Sequence, residues 1–353
     1  MNETPLATGS RRAWARGTLL GLAVGDALGT TLEFKKREAP SFPELAKGPH
    51  TDVTGGGPFR VAPGQVTDDT QMATCLALSL KEHGRYHAAD VAARYVAWVE
   101  HAFDIGNLTQ ASLSMIARGV SLGEASRRAW IHSERKTAGN GSLMRIAPIG
   151  VALASAPEAC RMAALADSAI THYDPRCRIT CAALCAAIAA AGAGQTSATD
   201  LFEVVRAEVE AAAATLIDIV PSDGRDVEAA RAELRWDLEL AVRDDPELYG
   251  PEIHLHHQQG FVRVAFRLAL WELLHASSYE AALIDVVNRG GDADTNGAIT
   301  GALLGARFGE DAIPAAWRER VLGALADRPP SALRDLYHPR RLVELADSIK
   351  GAE

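Results

Sequence analysis

The stretch GGDADTNGAITGALLGARFG, residues 290–309, opens with two carboxylates, Asp292 and Asp294. It then repeats glycine at every fourth position, Gly297, Gly301, Gly305 and Gly309. Positions four apart share one face of a helix. Glycine costs a helix roughly 1 kcal/mol relative to alanine, so four on one stripe call for a compensating contact. A second stretch offers one: GTLLGLAVGDALG, residues 17–29, spaces Gly17, Gly21, Gly25 and Gly29 in the same way. Two bare stripes let two helix backbones come close, and van der Waals contact then offsets the glycine penalty. The pattern therefore predicts that these two helices pack on each other. Their charges and their length argue against a membrane pairing through small residues.

Helical periodicity continues along most of the chain. It predicts helices over 11–29, 68–83 and 88–103. Others are predicted near 108–119, 142–153, 157–170, 175–192, 200–216, 226–243, 259–276, 278–288, 293–308, 314–327 and 339–349. Residues 50–69, HTDVTGGGPFRVAPGQVTDD, read as a long loop punctuated by glycine and proline. The stretches 193–200, 217–225 and 244–258 read as surface loops. The 353 residues are 48% hydrophobic but only 6% aromatic, a balance that favours closely packed helices over a β-sandwich. The expected fold is all-α, a compact single domain over 11–353 behind a disordered lead-in at 1–10.

The net charge is −9, and the basic residues form no stripe, so nucleic acid is not an expected partner. No apolar run reaches the roughly 18 residues of a membrane span. An odd count of five cysteines and no signal peptide point to a reducing cytoplasm. Cys177, Cys181 and Cys185 share a helical stripe and read as small core residues. Trp98, Trp130, Trp236 and Trp271 read as packing residues, Glu272 and His275 as an ordinary helix face, and His254, His256 and His257 as a polar loop.

The chemistry concentrates at three places. VTDDTQMA puts Thr67, Asp68 and Asp69 at a helix start, and GGDADTNGA does the same with Asp292, Asp294 and Thr295. Helix capping alone accounts for either one. Brought together, the four carboxylates would repel and hold their protons, unless hard divalent cations such as Mg²⁺ or Mn²⁺ took the oxygens as ligands. The third place is the tight turn Gly139-Asn140-Gly141-Ser142. Its backbone N–H groups could cradle a phosphate, although a plain turn is equally consistent with the composition.

Taken as a set, GLAVGDALGTTLEF, VTDDTQMA, FDIGN, GNGSLMRIAP, THYDPRC and GGDADTNGAITGALLGARFG span about residues 17–309. With them the chain resembles the ADP-ribosylglycohydrolases, most closely the bacterial dinitrogenase reductase-activating type. The resemblance implies an all-α fold with a centre of two divalent cations, Mg²⁺ or Mn²⁺. It implies Thr67, Asp68, Asp69, Asp292, Asp294 and Thr295 as metal ligands, with Asp294 bridging and Asp26 behind them. Glu33 and Asp104 would be catalytic. Gly139, Asn140, Gly141 and Ser142 would bind the diphosphate, His172 the ADP-ribose and Phe261 the adenine. The implied reaction is removal of ADP-ribose from a modified protein side chain, arginine first, by a cytoplasmic monomer. Two other readings stay open: a hydrolase of serine-linked or small-molecule ADP-ribose, and a non-catalytic ADP-ribose- or toxin-binding immunity protein.

Overall fold

A computed structural model describes residues 8–36, 44–326, 328 and 331–348. Sixteen α-helices account for most of them. In chain order these are α1 (Thr8–Gly29), α2 (Asp68–His83), α3 (Ala88–Val99), α4 (Asn107–Ala117), α5 (Leu122–His132), α6 (Ala147–Ala152), α7 (Pro157–Thr171) and α8 (Pro175–Gly192). They continue as α9 (Ala198–Ile219), α10 (Gly224–Ala241), α11 (Val262–His275), α12 (Tyr279–Asn288), α13 (Ala293–Phe308), α14 (Ala315–Leu322), α15 (Ala332–Leu336) and α16 (Arg340–Ser348). The described residues form no β-strand, only isolated bridges such as Gly56 with Val61, so the fold is all-α as expected. No described helix is long and apolar enough to cross a membrane. Most of the predicted lead-in, residues 1–7, lies outside the described residues; α1 already begins at Thr8.

The two glycine stripes meet. Helices α1 and α13 run antiparallel with their backbones in contact. Gly17 faces Gly305, Gly21 faces Gly301, Gly25 faces Gly297, and Gly29 faces Ala293. A methyl group on Gly25 would sit 2.0 Å from the Gly297 carbonyl oxygen, and one on Gly21 would sit 2.3 Å from that of Gly301. Only a hydrogen fits in those places. Gly309 is different. It ends α13 with φ +79°, a conformation that favours glycine, and a methyl on Gly17 would lie 2.6 Å from its carbonyl carbon.

Around this pair the core is built from buried residues such as Leu19, Leu22, Leu76, Ile146, Ile188 and Leu303. The cysteine stripe of α8 faces the irregular turn before α6. Cys177 Sγ lies 3.2 Å from the Gly139 carbonyl oxygen, Cys181 Sγ 3.5 Å from Ser142 Oγ, and Cys185 Sγ 3.5 Å from the Ile146 carbonyl oxygen. A thiol is small enough for a crowded interface and still donates weakly.

Several expectations need correction. Helix α5 is missing from the sequence reading, because GEASRRAWIH has few apolar residues to mark its buried side, where Ala125, Ser126 and Trp130 lie. The helix expected over 142–153 begins only at Ala147, since 140–146 is taken up by the turn. Trp236 is 39% exposed and packs under the Arg243 guanidinium instead of in the core. The helix face that carries Glu272 is buried, and burial together with nearby Asp285 pushes its carboxyl well above the usual range. Loop 244–258 buries Leu248, Ile253 and Leu255 in a small core of its own.

The packing predicts opposite outcomes for two glycine substitutions. Gly21→Val forces a side chain into the Gly301 carbonyl and should cost about 3 kcal/mol or more. Gly123→Ala in α5 meets no neighbouring atom within 4 Å and should gain about 0.4–1 kcal/mol. Urea unfolding of the two variants measures both.

Candidate functional site

The antiparallel register puts the C-terminal end of α1 beside the N-terminal end of α13, where the acidic residues begin. Asp26, in the last turn of α1, does not point to solvent. Its carboxylate accepts from Thr67 N at 3.1 Å, Thr70 N at 3.2 Å and Thr70 Oγ1 at 2.6 Å. It therefore caps the N-terminus of α2 from another helix. Thr67 makes no side-chain cap of its own; its hydroxyl lies between Asp26 and Asp69, 3.0 and 2.9 Å away. In this way Asp26 fixes the start of α2, and with it Asp68 and Asp69, against α1.

A cleft of about 400 Å³ opens above these helix ends, lined by Glu33, Asp68, Asp104, Asp292, Asp294 and Thr295 among others. Oxygens of Glu33, Asp104 and Asp294 lie within 4.8 Å of one another. Burial, with Asp104 and Asp292 adding like charge, pushes the Glu33 carboxyl up to about 9. Burial and Asp292 push Asp104 up to about 7. Asp68, Asp69 and Asp294 are driven well above the usual range, first by burial and then by neighbouring carboxylates. Glu33 Oε2 and Asp69 Oδ1 are buried without a hydrogen-bond partner. An all-oxygen set with excess negative charge and orphaned oxygens fits hard divalent cations.

The other wall is the Gly139–Arg145 turn. Buried Arg145 donates to the Gly141 carbonyl oxygen at 3.0 Å and to Asp167 Oδ2 at 3.1 Å, pinning the turn from behind. Asn140 Nδ2 donates to Asp292 Oδ2 at 2.7 Å, linking the turn to α13. His172 packs beneath Gly139 and Gly141. A methyl on Gly141 would lie 2.9 Å from the ring, so the glycines leave the space the imidazole uses. Arg145 Nη1 also donates to Thr171 Oγ1, whose hydroxyl lies 2.8 Å from His172 Nδ1. Arg145 and the Thr171 hydroxyl thus hold the ring from its Nδ1 side. Burial, and then Arg145, lower the His172 pKa to about 3.

Not every residue singled out in the sequence lines this cleft. Gly139, Asn140, Gly141, His172, Glu33, Asp68, Asp104, Asp292, Asp294 and Thr295 do. Thr67 and Asp69 are fully buried beneath it. Ser142 turns away to Ser168 Oγ at 2.9 Å. Phe261 lines an adjoining open cleft of about 570 Å³ that shares Gly139 and Gly260 with the first, and the Arg176 guanidinium lies 5.5 Å from its ring centroid. Glu33 and Asp104, expected as catalytic residues rather than metal ligands, belong with Asp294 to one oxygen cluster. Arg145 is a residue that reading passed over. Its signal was its place four residues beyond Gly141 in GNGSLMR, in register to reach back to that carbonyl.

Comparisons with known proteins agree with the geometry. A family profile described as ADP-ribosylglycohydrolase matches residues 7–350. The ADP-ribosylarginine hydrolase Tri1 of Pseudomonas putida (strain GB-1) is 30% identical over 87% of this chain and 74% of its own. The ADP-ribosyl-dinitrogen reductase glycohydrolase of Rhodospirillum rubrum is 31% identical over 87% and 90%. A solved structure titled ADP-ribosylglycohydrolase-related protein complex superposes with a TM-score of 0.69 at 28% identity, covering 96% of this chain and 99% of that one.

The buried imidazole has a pH signature. With its folded pKa lowered to about 3, His172 binds fewer protons folded than unfolded between about pH 3 and its ordinary value near 6.5. It therefore withdraws stability as pH falls through that window. In an NMR titration its ring signals should stay at their neutral positions from pH 8 to 5, and His172→Gln should lose less stability on acidification than the wild type.

Proposed function

Because the chain belongs to the ADP-ribosylglycohydrolase family, we propose that it hydrolyses the N-glycosidic bond joining ADP-ribose to arginine side chains of modified proteins, with two divalent cations, Mg²⁺ or Mn²⁺. One observation carries the reading: carboxylates from α2, α13 and the segments after α1 and α3 converge on one cleft, with buried oxygens that have no partner. The arginine preference is supported by the relative named ADP-ribosylarginine hydrolase.

Thr67, Asp68, Asp69, Asp292, Asp294 and Thr295 would hold the cations, with Asp26 fixing the first three in place. The bound cations would supply Lewis acidity to the ribose hydroxyls and neutralise the cluster. The Gly139–Gly141 turn receives the diphosphate, with the His172 ring packed against the same wall. The adjoining cleft, with Phe261, takes the adenine. That places the scissile carbon beside Glu33 and Asp104. These are the carboxyls positioned to give a proton to the leaving guanidine nitrogen and to take one from the attacking water, while the cleft holds sugar and water in register.

The test is release of ADP-ribose from an ADP-ribosylarginine peptide, with a serine-linked peptide run beside it. Release should require Mg²⁺ or Mn²⁺, stop on chelation, and fall more than about 100-fold in Asp294→Ala. Release that survives both chelation and Asp294→Ala removes the metal mechanism. Binding of ADP-ribose with no turnover favours a non-catalytic binder, and cleavage of the serine-linked peptide alone moves the linkage.

A further inference from the structure

Three exposed or half-exposed phenylalanines form a row that starts at the cleft mouth with Phe34, next to Glu33, and leads to Phe103, next to Asp104. Phe34 lines the cleft and is 51% exposed. Phe59 packs against it with ring centroids 6.3 Å apart, and Phe103, 42% exposed, packs on Phe59 at 5.8 Å, both edge to face. They come from three separate segments, two of which are held at a cost. Phe34 has φ +60°, a left-handed conformation that is an outlier for a bulky residue and that clusters at functional sites. Its N–H donates to the Gly291 carbonyl oxygen at 2.7 Å, tying it to the turn before Asp292. Phe59 rides on a loop whose Gly55, Gly56, Gly57 and Arg60 all have positive φ. Thr31 Oγ1 clamps that loop through the Gly55 carbonyl at 2.9 Å, and a methyl on Gly57 would lie 2.1 Å from the Thr30 carbonyl oxygen. Phe103 directly precedes Asp104. Strained backbone at two places and solvated rings are unfavourable for stability alone, and a row of them that begins at the edge of an acidic cleft calls for a ligand.

We propose that this rim is the specificity platform for the reaction: the guanidinium of the modified arginine lies on the ring of Phe34, the member of the row that lines the cleft, while its bond to ADP-ribose is cut. The inference rests on the arginine reading above. The wall of Gly139 and Gly260 continues into the cleft that holds Phe261, so the nucleotide lies on that side. The leaving group then emerges past Glu33 and Asp104, onto the phenylalanines. A planar, weakly hydrated cation is attracted by ring faces and by the surrounding carboxylates. A neutral serine oxygen gains nothing from either.

Phe34→Leu and Phe103→Leu keep apolar bulk and leave the backbone requirement unchanged, while Phe34→Tyr keeps the ring. On an ADP-ribosylarginine peptide Phe34→Leu should lower kcat/KM about tenfold, chiefly through KM, and Phe103→Leu, at the far end of the row, should lower it less. Phe34→Tyr should stay close to the wild type, and inhibition by free ADP-ribose should change less than about twofold in all three. Leucine variants as active as the wild type overturn the platform and leave the arginine reading intact. So does an equal loss of ADP-ribose inhibition, which would put the rings on the nucleotide side. A wild-type chain that releases nothing from the arginine peptide overturns both.

Discussion

The contact between the backbones of α1 and α13 sets the position of the rest of the site. Two helices with ordinary side chains pack 8–10 Å apart; here glycine faces glycine at three levels and alanine at the fourth. The ends of the two helices are thereby fixed relative to each other to within the tolerance of a methyl group. Each bears carboxylates, Asp26 at the end of one and Asp292 and Asp294 at the start of the other. Such a concentration of buried acid opposes folding through desolvation and repulsion. The helix pair works against that cost, since its contact surface is extensive and lies next to the charges.

Asp26 extends the arrangement to a third element. By accepting the N–H groups of Thr67 and Thr70, it joins α2 to α1 at the one place where α2 presents Asp68 and Asp69. Burial pushes the Asp26 carboxyl up to about 6, against four hydrogen bonds from Thr67 and Thr70 that favour the ionised form. Those bonds and the positive end of the α2 dipole both reward the ionised form. The carboxylate closest to the helix pair thus has a structural task, and those above it are left to face the cleft.

Much of this was legible in the sequence because it rests on local periodicity. The four-residue spacing of glycines announced the helix pair, and acid at two helix starts announced the cluster. What was not legible depends on relations between distant segments. Nothing near Thr67 shows that its helix is capped by a residue forty-one positions earlier. Ser142 follows the GNG glycines as though it belonged to the same wall, yet the turn rotates it toward Ser168. Helix α5 was missed because its buried side is short and partly polar. Phe34, Phe59 and Phe103 look like three isolated aromatics until the loop carrying Phe59 folds back on the segment after α1. Residues whose position follows from their own helix could be read directly, and residues whose position follows from a partner could not.

The α8 thiols have a further consequence. Cys177, Cys181 and Cys185 are buried against the turn, and Cys75 and Cys160 are buried as well. Burial pushes Cys75 and Cys181 up to about 12 and Cys177 and Cys185 well above the ordinary thiol range. A thiol reacts as its thiolate, so these four are chemically silent in the folded chain at neutral pH. The molecule arrives, in effect, already prepared for site-selective labelling: a single cysteine introduced on an exposed helix face would outcompete the native ones for a maleimide dye or spin label, with none of the native cysteines removed.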